Sequence, residues 1–101
     1  MLASKELERF YCEDYLIDTY REGHFDRLSQ LQVVLSHEEA HLDGAESHLV
    51  VGLAVCDGIQ FCYRANQSGL WAYFPLEDIY QLKANTIKEL IQGYCDGSIS
   101  V

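Results

Sequence analysis

The sequence predicts an α+β domain: an antiparallel meander sheet of three to four strands, with N-terminal helices and a C-terminal helix packed on it. Three observations predict it. Asp57-Gly58 sits between two apolar runs, 49–56 and 59–64, and this dipeptide is a favoured tight hairpin turn because both positions accept positive φ. Thr86-x-x-Glu89 opens a segment whose Ile87, Leu90, Ile91, Tyr94 and Cys95 form one apolar stripe. Phe25, Leu28, Leu31 and Leu35 recur at helical spacing. The 101 residues, 49% hydrophobic and 23% charged, suit one globular domain over 1–101.

In chain order, Ser4 is placed to cap a first helix running to about Arg21 and stopping near Gly23. Its apolar residues (Leu7, Phe10, Tyr11, Tyr15, Leu16, Ile17, Tyr20) do not make one narrow stripe, so it is either contacted on several sides or broken midway. A second helix is expected over Phe25–Leu35, although Gln32-Val33-Val34-Leu35 also suits a strand. Residues 36–47 read as a polar loop or a frayed continuation of that helix. With a two-residue turn at Asp57-Gly58, Ala54 faces Phe61, Gly52 faces Tyr63 and Cys56 faces Ile59, leaving Cys56 and Cys62 on opposite faces. Asn66–Gly69 reads as a turn, Leu70–Phe74 as a strand ended by Pro75, and Ile79–Lys83 as a short fourth strand. The last helix starts at Thr86 and stops at Gly97.

Sixteen acidic against seven basic residues give a net charge of −9. Phosphate backbones and anionic lipid surfaces repel such a chain, so neither nucleic acid nor membrane is expected as a partner, whereas a basic protein is attracted. Residues 1–6 lack the basic start and apolar run of a signal peptide, and the longest apolar run, 49–56, is too short to span a bilayer. A cytoplasmic location is expected. Cys12, Cys56, Cys62 and Cys95 are scattered with no C-x-x-C pair, which suits buried thiols better than disulfides or a zinc knuckle.

Both faces of the predicted sheet are apolar, and a sheet of that kind is covered on both. The helices either cover both faces or leave one for a partner protein or a second copy of the chain. Trp71 and Tyr73 point the same way on their strand and are candidate binding residues, as are Glu13, Asp14 and Asp18, which with Glu6 and Glu22 make an acidic face on the first predicted helix.

One segment looks like chemistry. His37-Glu38-Glu39-Ala40-His41 matches H-E-x-x-H, in which two histidines on one helix face hold zinc and the glutamate activates a metal-bound water. With Gly44 and His48 the run is similar to the longer metzincin pattern. It departs from that pattern at Ser47, where the third histidine belongs, at the charged Glu39 and Asp43, and in having no methionine beyond Met1. A small metal-dependent hydrolase, with Glu38 as base and His37, His41 and His48 on zinc, is the alternative reading.

His48-Leu49-Val50-Val51-Gly52, a hairpin, the aromatic strand Leu70–Phe74, the acidic bend Glu77-Asp78 and the closing Thr86-Ile87-Lys88-Glu89-Leu90-Ile91 follow one another in a familiar order. Residues 48–101 thereby resemble the C-terminal half of SUKH superfamily proteins, the immunity and cell-wall regulator group. The resemblance implies a non-enzymatic module that binds another protein, often a basic toxin, through an acidic surface. A small acidic protein-binding module, regulatory or immunity-like and without a cofactor, is therefore the leading expectation.

Overall fold

The computed structural model describes residues 7–26, 31–43, 47–54 and 58–99. Ser4, Glu6, Leu28, Cys56 and Asp57, which the sequence reading used, lie outside the described residues. Among those described, the chain forms β1 (His24–Asp26), β2 (Leu31–Val34), β3 (His41–Asp43), β4 (His48–Leu53), β5 (Gln60–Arg64), β6 (Gln67–Phe74), β7 (Ile79–Ala84) and the helix α1 (Ile87–Asp96). The strands make one antiparallel sheet in the order β1-β2-β4-β5-β6-β7, with β3 also paired to β4. The expected three- to four-stranded meander with N-terminal helices is thus overturned. The sheet has seven strands, and what precedes it holds two isolated 3-10 turns, Glu8–Phe10 and Asp18–Tyr20.

Over the described residues 7–21 the expected first helix is broken into turns, and the cause is local. Leu7, Phe10, Cys12 and Tyr15 are buried while Tyr11, Leu16 and Ile17 are exposed, a spacing no single helical face provides. Tyr11 adopts a left-handed φ of 53°, which ends the first turn. The segment crosses the sheet as linked turns, pinned by its side chains. The expected second helix is replaced by β1 and β2. β2 lies between β1 and β4, and Val33 and Val34 are both fully buried, the continuous apolar pattern of an interior strand. The valines' preference for strand prevails over the helical spacing of the leucines.

β2 and β3 share one edge of β4, because β5 occupies the other. Leu35 donates its N–H to Val51 O, and His41 stands opposite Val50, so neighbouring residues of β4 meet chain positions six apart. Residues 36–40 leave the sheet between them as one helical turn, closed by the N–H groups of Glu39 and Ala40 on Ser36 O. At Gly52 an added Cβ would collide with Val33 O, so glycine is what lets β2 approach β4 there.

The β4–β5 hairpin forms with a different register from the expected one. Leu49 opposes Tyr63, Val50 opposes Cys62 and Gly52 opposes Phe61, with a bulge between Val50 and Gly52. Ala54 N–H bonds Ile59 O, so the connection is longer than a two-residue turn. An odd slip exchanges faces. Leu49 and Val51, expected across the sheet from Phe61 and Tyr63, join them instead. The next turn is Ala65-Asn66, with Asn66 at φ 63°, and β6 starts at Gln67. β7 and α1 fall where expected. Thr86 Oγ1 accepts from Glu89 N–H, and Glu89 Oε2 reaches back to Asn85 N–H, one residue before the usual capping-box partner. Gly97 closes the helix at φ 84°.

The two faces of the sheet differ. On one, Leu49, Val51, Phe61, Tyr63, Leu70 and Ala72 pack against Ile87 and Leu90 of α1 and against Leu7, Phe10, Cys12 and Tyr15. Asp14 ties these covering pieces together. Its Oδ1 accepts from Tyr63 OH at 3.0 Å and its Oδ2 from Ile87 N–H, in the first turn of α1, at 2.7 Å. Expected as a surface binding residue, Asp14 is a half-buried link between the N-terminal segment, the sheet and the helix. Tyr15 OH adds a bond to Leu35 O at 2.6 Å. The slab measures 35 × 33 × 20 Å.

Asp14→Ala leaves a buried hydroxyl and a helix-start N–H without their acceptor, and urea titration should show a loss of about 2–3 kcal/mol. Tyr63→Phe should cost about 1 kcal/mol, and less than that once Asp14 is gone; equal effects in both backgrounds would show that the two groups are not coupled.

Candidate functional site

Among the described residues no helix lies over the second face. Strand alternation brings Asp43, His48, Val50, Gln60, Cys62, Arg64, Trp71, Tyr73, Tyr80 and Leu82 to it. Val50 and Cys62 are buried, while Trp71, Tyr73, Tyr80 and Arg64 are half-buried and Leu82 is 52% exposed.

At the centre, Tyr80 reaches from β7 past β5 and β6 to His48 on β4. Its hydroxyl lies 2.7 Å from His48 Nδ1 and 3.3 Å from Ser47 Oγ. His48 is fully buried; its Nε2 lies 3.2 Å from Gln60 Oε1, and Gln60 Nε2 donates to Asp43 Oδ2 at 3.3 Å. The direction of this chain follows from its end. A carboxylate only accepts, so Gln60 turns its amide N–H toward Asp43 and its carbonyl toward His48. His48 then donates from Nε2, and in the tautomer that carries its proton there Nδ1 accepts from Tyr80 OH. The proton donors run Tyr80 to His48 to Gln60 to Asp43, across four strands. Rings reinforce the chain: Tyr73 lies 4.8 Å from His48 and 4.9 Å from Tyr80, and its hydroxyl donates to Asp78 at 2.7 Å. That bond, then partial burial and the charge of Asp78, push the Tyr73 hydroxyl up to about 12. The Arg64 guanidinium lies 4.0 Å from the Tyr80 ring centroid and 4.8 Å from that of Trp71.

The sequence reading placed Trp71 and Tyr73 on one face, and both stand on this one. Trp71 Nε1–H is turned to Ser68 O at 3.2 Å. Glu13 and Asp18 are exposed on the turns of the N-terminal segment, without the helical face expected of them; Asp18 pairs with Arg21 at 2.8 Å. Gln60, Arg64 and Tyr80 were missed as site residues, and His48 was singled out only as a zinc ligand. Their alternation was visible in the sequence, but only the register shows that they converge.

The H-E-x-x-H residues are not on a helix face. His37 and Glu38 lie on the single turn that interrupts the sheet edge, and His41 begins β3. The His37 Nε2–H donates to Tyr15 O at 2.8 Å with the two rings edge to face, while His41 Nδ1 lies 3.0 Å from Glu39 O. His48 belongs to the aromatic chain above. Among the described residues no group of three or more His, Cys, Asp or Glu side chains is arranged to hold a metal ion. Cys12 and Cys62 are buried, and Cys95, near the end of α1, is exposed with its sulfur 4.0 Å from His24 Nε2. No described helix is long and apolar enough to cross a membrane.

Comparison with family models, curated proteins and solved structures returns no match.

Burial raises the Cys12 thiol to about 11, with Glu13 adding to it, and burial raises Cys62 to about 12 against the opposing pull of Arg64. Both pKa values are higher in the folded state, so the folded state keeps its protons longer as pH rises. The stability they contribute is complete below about pH 8.5 and is lost as pH climbs from about 9 to 12. Urea midpoints should hold steady between pH 7 and 8 and fall between pH 9 and 11; a midpoint rising with pH over that range would contradict the assignment. In the same terms, Tyr80→Phe leaves His48 Nδ1 without its donor, and thermal melts should register a loss of about 1–2 kcal/mol.

Proposed function

We propose that the chain is a non-enzymatic protein-binding module of the cytoplasm, regulatory or immunity-like, that engages its partner through the helix-free face of its sheet. The observation that carries this reading is that face itself: Trp71, Tyr73, Tyr80 and Leu82 side by side on rigid strands, half-buried or exposed. Aromatic side chains pre-set by packing lose little freedom on binding and dominate interface energetics. The hydrogen-bonded chain behind them holds their rings in place before any partner arrives.

The net charge of −9 supports a basic protein as the partner over nucleic acid or an anionic lipid surface, both of which it repels. Exposed carboxylates at Glu13, Asp18, Glu77 and Asp43 would steer its approach. Two copies of so acidic a chain repel each other, which disfavours self-association as the purpose of the face.

The test is a quantitative capture from the native host with wild type and with Trp71→Ala and Tyr73→Ala side by side. A specific partner should bind wild type and lose about thirtyfold in affinity with either variant. Its association rate should fall as salt rises from 50 to about 500 mM. Retention of the same proteins by the double variant would remove the face from consideration, and a salt-independent rate would remove the electrostatic steering.

A further inference from the structure

Arg64, like Arg9 over Phe10, is held against aromatic rings. Arg21 has its carboxylate, Asp18, at 2.8 Å in solvent. Arg64 lies instead on the second face of the sheet, its guanidinium carbon 4.0 Å from the Tyr80 ring centroid and 4.8 Å from that of Trp71, and among the described residues no carboxylate stands within ion-pair distance of it. A ring contact takes none of a guanidinium's five N–H donors into a conventional hydrogen bond, so its fork remains for an acceptor. The two rings also remove most of the side chain's freedom, so little ordering remains when an acceptor arrives.

We infer that Arg64 is the specificity anchor of the binding face, taking a glutamate or aspartate side chain of the partner between Trp71 and Tyr80. The fork of a guanidinium matches a carboxylate in two parallel hydrogen bonds. The charge balance selects among anions. One cation in a field of −9 suits a singly charged carboxylate and disfavours a phosphate carrying close to two charges. The surroundings select the context. Trp71 and the exposed Leu82 flank the position, so the acid fits best beside an apolar residue. Arg64 ends β5, opposite His48 at the start of β4 and Gln67 at the start of β6, so the position lies at the strand-end rim of the face, where an approaching segment meets it without crossing the sheet. A basic partner satisfies both demands: its overall charge brings it in, and a single acidic residue in its contact surface sets the register. This inference rests on the helix-free face being the binding face.

The protein carries its own reporter, because Trp71 is the sole tryptophan and touches Arg64. Its fluorescence is followed while a blocked peptide with glutamate between two leucines is added, and then the same peptide with glutamine. A saturable change about tenfold weaker for the glutamine peptide is expected, and Arg64→Gln should abolish the difference. Arg64→Lys, which keeps the charge and loses the planar fork, should retain only part of it. Equal responses to both peptides overturn the inference, and so does an equal response to inorganic phosphate or to a thymidine decanucleotide. The peptide contrast needs only wild type, so it decides even if a variant fails to fold. A captured partner that is lost by Trp71→Ala but bound normally by Arg64→Gln would leave the face standing and remove the anchor.

Discussion

One carboxylate decides which side of this sheet is covered. Asp14 sits on an irregular segment with no regular secondary structure of its own to hold it. By accepting from Tyr63 on β5 and from the first turn of α1, it fastens that segment and the helix to the same face. The helix start has orphan N–H groups that need acceptors; Thr86 supplies one, for Glu89 N–H, while the Glu89 carboxylate takes the N–H of Asn85 just ahead of the cap. Asp14 supplies another from seventy-three residues away. Both covering pieces are thereby committed to one side, and the aromatic side is left to face outward.

The contrast between the faces follows. The covered face carries aliphatic and aromatic side chains that need no polar partner beyond two tyrosine hydroxyls, each satisfied by an oxygen. The uncovered face has a buried histidine, and burial of its polar atoms is tolerable because each nitrogen has a partner. No described buried side-chain nitrogen or oxygen lacks one. A polar network of this kind fixes ring positions more narrowly than apolar packing does, which suits a surface that must present one shape.

The sequence was legible where a signal was local and failed where it depended on distant partners. Thr86, Glu89 and Gly97 bounded α1 because caps act within a few residues. Pro75 ended β6 for the same reason. The apolar runs around Asp57-Gly58 revealed a strand pair, but not its register, since the bulge at Val51 and the longer connection answer to the packing of Leu49 against Tyr63. Phe25, Leu31 and Leu35 suggested a helix that β1 and β4 override by flanking Val33 and Val34. Asp14 looked like a surface acid because its two donors lie forty-nine and seventy-three residues on. Trp71 and Tyr73 were recognisable as a pair, whereas His48, Gln60 and Tyr80 became a group only once their strands were in order.

The turn of residues 36–40 has a further consequence. Its two ends meet β4 at adjacent positions, Leu35 at Val51 and His41 at Val50, so the chain leaves the edge and returns at the next step of the ladder. β2 and β3 are therefore two halves of a single strand, and the excursion between them is an ornament on a continuous edge. Its length is decoupled from the sheet: a shorter or longer segment spliced between Leu35 and His41 meets the same two attachment points. The H-E-x-x-H run begins in this excursion, where a change of length leaves the strand alternation untouched so long as His37 keeps its bonds to Tyr15 O and Arg21 O.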